Sequence, residues 1–98
     1  MLVSLKELMQ DANEKGYAVG AFNATSLESL TAIIAAAEET GKGVILNHAE
    51  VHSPIISIED IGPIMVDRAK KAKVPVCVHL DHGTSLESCM NAIRLGFT

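Results

Sequence analysis

Two kinds of segment alternate along this sequence, and the alternation limits the folds open to it. Helix-start signals stand at Ser4-Leu-Lys-Glu7, Thr25-Ser-Leu-Glu28 and Thr84-Ser-Leu-Glu87, with a weaker version at Ser57-Ile-Glu-Asp60. The first three fit the capping box. In that motif a hydroxyl accepts from the backbone N–H three residues on, and the acid reaches back to the first residue. Between the helices lie short runs rich in β-branched residues: Tyr17 to Phe22, Val44 to Leu46 and Val74 to Leu80. Short apolar runs bounded by Gly, Pro or Lys read as buried parallel strands. The expected order is one helix followed by three strand–helix pairs.

The apolar spacing supports each helix. Leu27, Leu30, Ile33, Ile34 and Ala37 recur at helical intervals, and Gly41 is placed to end that helix. Ile58, Ile61, Ile64, Met65 and Ala69 do the same after Ser57, which puts Pro63 in the first turn, where a missing N–H is tolerated. Leu86, Met90, Ile93 and Phe97 follow Thr84, with Gly96 as the C-cap. The phrase Thr-Ser-Leu-Glu-Ser occurs at 25–29 and again at 84–88, each time after a strand. It supports a βα unit recurring about every 30 residues.

Parallel strands need right-handed crossovers, which place the helices on one face if the sheet is to curl. The predicted class is therefore α/β: a leading helix plus three βα units, the N-terminal part of a (β/α)8 TIM barrel. Such barrels typically run to about 250 residues. Residues 1–98 are accordingly expected to form the N-terminal third of a single, incomplete barrel domain, cut at Gly96-Phe97-Thr98 where a fourth strand should begin. A doubly wound open sheet fits the same pattern.

Composition removes several functional classes. A net charge of −4 without a Lys/Arg cluster argues against a nucleic-acid surface. No apolar run approaches the roughly 20 residues of a membrane span, and the charged N-terminal helix is unlike a signal peptide. Cys77 and Cys89 form neither a disulfide framework nor a close metal pair, so a reducing cytoplasm is the expected location. Only Tyr17, Phe22 and Phe97 are aromatic, which leaves the core to Val, Ile, Leu and Ala.

Polar residues gather at one end of all three strands. The first ends in Asn23, the second runs into Asn47-His48-Ala49-Glu50-Val51-His52, and the third into His79-Leu80-Asp81-His82-Gly83, whereas Lys15, Lys42 and Lys73 stand near the strand beginnings. In α/β folds the active groups collect at the C-terminal strand ends. Alternation puts Cys77, His79 and Asp81 on one face of the third strand, with Val76, Val78 and Leu80 packed under the helices. An Asp at the rim of such a barrel is placed for general acid/base work. His82, released from the strand by Gly83, could ligate a metal through a neutral imidazole nitrogen. The plainer readings are a turn for Asp-His-Gly and a hydrogen-bonded core histidine for His79. His48, Glu50 and His52 alternate, so they either share one face as metal ligands or begin a solvated loop. Spacing alone does not assemble the three ligands of a catalytic zinc. Cys77 reads as a small buried hydrophobe and Cys89 as a helix residue packed on the sheet.

Gly16-Tyr-Ala-Val-Gly-Ala-Phe-Asn23, the Leu27-Glu28 helix, Gly43-Val-Ile-Leu46 and above all Val74-Pro-Val-Cys-Val-His-Leu-Asp-His-Gly83 resemble class II fructose-bisphosphate and tagatose-bisphosphate aldolases, in register over nearly the whole chain. The resemblance implies zinc-dependent, reversible aldol cleavage of a ketose 1,6-bisphosphate to dihydroxyacetone phosphate and glyceraldehyde 3-phosphate. It makes Asp81 the catalytic acid/base of C3–C4 cleavage, His82 the first of three histidine ligands to Zn2+, and Asn23 a residue near the substrate. The zinc would polarise the ketone as a Lewis acid. The other zinc histidines, the glycine-rich phosphate sites and a monovalent-cation loop would lie on later strands, so these 98 residues alone are expected to catalyse nothing. An intact member would be a homodimer or homotetramer. His48-Ala49-Glu50-Val51-His52 departs from the Ser or Thr with glycines frequent in the family, which leaves the sugar, fructose or tagatose, open.

The competing reading is a non-catalytic, flavodoxin-like α/β binding domain, or an aldolase-like protein that binds without turnover. A receiver-like domain would want acids at the first strand's end to hold magnesium, and that end is Ala21-Phe22-Asn23. No G-x-G-x-x-G follows it to support a dinucleotide site.

Overall fold

The computed structural model describes every residue from Met1 to Thr98. Its elements follow the expected order: α1 (Leu5–Lys15), β1 (Gly20–Asn23), α2 (Leu27–Thr40), β2 (Val44–Ala49), a single 3-10 turn (Glu50–His52), α3 (Ile58–Lys71), β3 (Val76–Asp81) and α4 (Leu86–Leu95). The strands form one parallel sheet in the order β1-β2-β3. Gly20 pairs with Val44 and Asn23 with Asn47, and the ladder continues from Val44–Val76 to Ala49–Asp81. This is an α/β arrangement of a leading helix and three βα units.

Two of the strands start later, and all three end later, than their apolar runs suggest. Residues 17–19 carry the chain away from α1, and Pro75 has no N–H for a ladder, so pairing starts at Gly20 and Val76. β2 continues through Asn47, His48 and Ala49 because β3 offers partners at His79, Leu80 and Asp81. Polar side chains do not stop a strand whose backbone still finds a neighbour.

Helix starts follow side-chain chemistry closely, with two shifts. Ser4 and Glu7 form the expected capping box, and the Ser57 hydroxyl accepts from the Asp60 amide. The other two caps are Ser26 and Ser85, one residue after Thr25 and Thr84. Ser29 supplies the return bond in α2, its hydroxyl oxygen accepting from the Thr25 and Ser26 amides at 3.1 and 3.0 Å. A serine at the third helical position thus does the work assigned to Glu28. Gly16, Gly41 and Gly96 end their helices at φ of 69°, 65° and 93°, in the left-handed region.

Pro63 is also displaced from its expected place. It is the sixth residue of α3, in the second turn, and leaves the Glu59 carbonyl without its helical donor. The preceding residue, Gly62, is buried against Leu95 and Phe97; a Cβ there would lie 3.1 Å from the Phe97 ring. Glycine therefore serves both the close approach of the segment after α4 and the restricted position before proline.

The two sheet faces are covered differently. Val44, Leu46, Val76 and Val78 join Leu30, Ile61, Met65 and Ala69 in the main core, between the sheet and helices α2 and α3. On the other face Ile45 and Cys77 pack with Leu8 of α1. The outer edge of β3 is partly satisfied: Val3 N–H donates to the Val76 carbonyl at 2.9 Å, and Thr98 N–H to that of Val78 at 2.9 Å. The outer edge of β1 is open, its four residues are exposed, and an apolar groove of about 600 Å3 runs beside it past Tyr17, Phe22, Ile33 and Val44. No helix is long and apolar enough to cross a membrane.

Candidate functional site at the strand C-termini

The face opposite the main core changes character along the strands. Its first row is Ala21, Ile45 and Cys77, with the last two buried under α1; the next is Asn23, Asn47 and His79; the last is Ala49 beside Asp81. Strand period two and parallel register suffice to build this gradient, apolar where α1 covers the sheet and polar where it does not. Cys77 is fully buried, as expected of a small hydrophobe, and burial pushes its thiol above the usual range.

His79 is hydrogen-bonded, as the plainer reading has it, but half-buried at the rim and not in the core. Its Nδ1 lies 3.0 Å from Asn47 Oδ1 across the β2–β3 pair. Asn47, first of the polar residues after the Val44-to-Leu46 run, thereby becomes part of the rim, although the sequence alone assigns it no role. Its signal was the register: a polar residue level with both Asn23 and His79.

Asp81 closes β3 half-buried, and His82 leaves the strand with φ +55°, the only non-glycine residue in the left-handed region. Left-handed backbone at a residue other than glycine is uncommon and costs of order 1 kcal/mol or more. The turn sends the His82 imidazole outward, 75% exposed, with Nε2 3.7 Å from Asp81 Oδ1. Asp81 and His82 are thus adjacent and accessible at the same strand end, while Asn23 lies two strands away in the row below. As a metal donor set this is one free imidazole, and no cluster of three His, Cys, Asp or Glu side chains in the chain could hold an ion. A catalytic zinc needs about three protein ligands; His82 has the chemistry of one, and the side chains present here do not by themselves complete such a set.

The alternating set His48, Glu50 and His52 does not share a face. His48 points into the helix layer and is 2% exposed, with Nε2 3.1 Å from the Ile56 carbonyl oxygen and Nδ1 unpartnered. Strand geometry ends at Ala49, so Glu50 and His52 fall on the 3-10 turn and lose the period of two. The Glu50 carboxylate instead accepts from Thr84 N–H at 2.7 Å, Thr84 Oγ1 at 2.8 Å and Ser88 Oγ at 2.5 Å. Those bonds, Ser88 first, hold it below the usual carboxylate range. This bridge between two loops was not foreseen; an acid just past a strand end was its only sequence signal. Cys89, expected to pack on the sheet, is instead half-buried against the loop, its Sγ 2.9 Å from where a Cβ on Gly83 would stand, and belongs to neither core cluster.

Residues 3–98 match the family model described as fructose-bisphosphate aldolase class-II, and the chain belongs to that family. It is 46% identical over 100 residues to a probable fructose-bisphosphate aldolase of Bacillus subtilis, and 41% identical over 102 residues to a fructose-bisphosphate aldolase of Staphylococcus aureus. Either alignment takes in 99% of this chain, and the chain spans 35% of the length of these relatives. The crystal structure of the YdjI aldolase from Escherichia coli K12 superposes with a TM-score of 0.95 at 39% identity, over 99% of this chain and 37% of that one.

Proposed function

We propose that this chain is the N-terminal third of a (β/α)8 barrel and that the intact, cytoplasmic protein carries out zinc-dependent, reversible aldol cleavage of a ketose 1,6-bisphosphate. The observation that carries the reading is the Asp81-His82 pair at the C-terminal end of β3, in a chain of the class II aldolase family. The open edge of β1 and the apolar groove beside it suit a sheet that continues into a closed barrel.

Retro-aldol cleavage removes the proton from the C4 hydroxyl as the C3–C4 bond breaks, and the bond's electron pair remains on C3. Asp81 is the group proposed to take that proton and to return it in the condensation direction. It is half-buried at the rim, its side chain 33% exposed, with no hydrogen bond locking its carboxylate. His82 offers an exposed imidazole nitrogen as one zinc ligand. A zinc ion held there supplies Lewis acidity to the substrate ketone. Asn23, exposed at the end of β1, is proposed to donate or accept a hydrogen bond with the sugar. The remaining zinc ligands, the phosphate sites and any monovalent-cation site belong to residues outside this segment, which is expected to be inactive alone; a homodimer or homotetramer is expected of the intact enzyme.

The test is aldol cleavage by the intact protein with fructose and tagatose 1,6-bisphosphates, before and after chelation. Activity lost to EDTA and restored by zinc is expected, and the better substrate identifies the epimer. A zinc-loaded protein inactive on both sugars would overturn the substrate assignment.

A further inference from the structure

The loop between β3 and α4 carries His82 in a left-handed conformation, and something must hold it there. Among side-chain hydrogen bonds, those joining residues 82–85 to any part of the chain beyond α4 all end on Glu50. Glu50 Oε2 receives both the amide and the hydroxyl of Thr84, and Oε1 receives the hydroxyl of Ser88, which in turn lies 2.9 Å from the α4 cap Ser85. The carboxylate thus grips the loop and the first turn of α4 together, at the helix end where negative charge is favoured. Its own base is fixed. Ala49, one residue upstream, is the register partner of Asp81, and buried His48 ties β2 to the Ile56 carbonyl on the far side of the same loop.

We infer that Glu50 is a positioning residue: a strut from the end of β2 that sets the loop from which His82 projects and so fixes its angle to Asp81. The inference rests on the site reading given under Proposed function. Three charge-assisted bonds from one carboxylate are enough to select one loop conformer. Both carboxylate oxygens are engaged by Thr84 and Ser88, which assigns Glu50 to support and not to ligation. Residues that orient metal ligands from behind typically change metal affinity or activity on the order of 10–100-fold when removed.

The experiment compares Glu50→Ala and Glu50→Gln with the parent in the intact protein, with Glu59→Ala as a control for loss of a neighbouring acid. Zinc affinity by competition with a chelating dye, amide exchange at Thr84, and kcat and KM are measured for each. Glu50→Ala is expected to weaken zinc binding on the order of 10–100-fold, to speed Thr84 exchange and to lower kcat more than it raises KM. Glu50→Gln, which keeps one carbonyl acceptor for Thr84, is expected to recover part of each loss, and Glu59→Ala to match the parent. Parent-like zinc affinity and Thr84 exchange in a folded Glu50→Ala protein would overturn the inference. So would losses in Glu50→Ala that track a general loss of stability with no recovery in Glu50→Gln. If the parent cleaves neither sugar while the zinc and exchange readouts respond, the substrate reading falls and the strut stands. If the parent binds no zinc, Thr84 exchange alone decides.

Discussion

At the scale of single residues, the tasks proposed for the neighbours Asp81 and His82 are separable. Removing a general acid/base typically costs about 10²–10⁴-fold in rate, and that is the role proposed for Asp81, whereas the exposed His82 imidazole is proposed to hold the metal. Asp81→Ala in the intact protein is therefore expected to cut turnover by orders of magnitude with zinc still bound. His82→Ala is expected to lose the zinc itself, as elemental analysis of the purified protein would show. Turnover near the parent's value in the first variant, or full zinc occupancy in the second, would reverse those roles. The polar rim around them rests on ordinary strand alternation. Asn47 meets His79 because the register sets them side by side, and Cys77 one step below is inert because the same register puts it under Leu8 of α1.

The helices show how much of an element is written locally. Four start signals and the two helix-ending glycines, Gly41 and Gly96, lay at or near their places in the sequence, because a cap is satisfied within four residues of itself. What the pattern could not decide was which hydroxyl of a Thr-Ser pair would act. In α2 it is Ser26, whose oxygen accepts from the Ser29 amide, while the Thr25 side chain makes no hydrogen bond. Ser26→Ala is expected to destabilise the protein by about 1 kcal/mol, and Thr25→Ala to stay within about 0.5 kcal/mol. Chemical denaturation of the two variants distinguishes them, and equal losses would return the cap to Thr25. The second copy of the repeat behaves differently although its five residues are the same, for Thr84 is engaged by Glu50. Local sequence carried the helix. The bridge depended on a partner 34 residues away, which no periodicity encodes. His48, Glu50 and His52 do not share a face for a related reason: alternation holds only while the strand lasts. His48 follows Val44 and Leu46 into the helix side, while Glu50 and His52 lie beyond the strand's end at Ala49.

Across the whole molecule, stability is concentrated on one side of the sheet. The main core lies between the sheet and the α2 and α3 layer, whereas the opposite face contributes a smaller cluster under α1 and then turns polar towards the rim. Leu46 is at the centre of the larger cluster. It is fully buried on the middle strand, flanked in register by Phe22 and Val78, and shares its core with Leu30, Ile61 and Met65. Neighbours held on both adjacent strands and by the helix layer cannot close a cavity there without moving backbone. Leu46→Ala is therefore expected to cost about 2–5 kcal/mol, a large share of the roughly 5–15 kcal/mol that keeps a domain folded. Ile55, 68% exposed in the loop before α3, serves as the contrast, and Ile55→Ala should stay within about 0.5 kcal/mol. Urea unfolding followed at constant slope would read both values. A Leu46→Ala loss no larger than that of Ile55→Ala would mean that the helix-side core does not carry the fold, and the rigid floor beneath the Asp81-His82 rim would have to be sought on the α1 side.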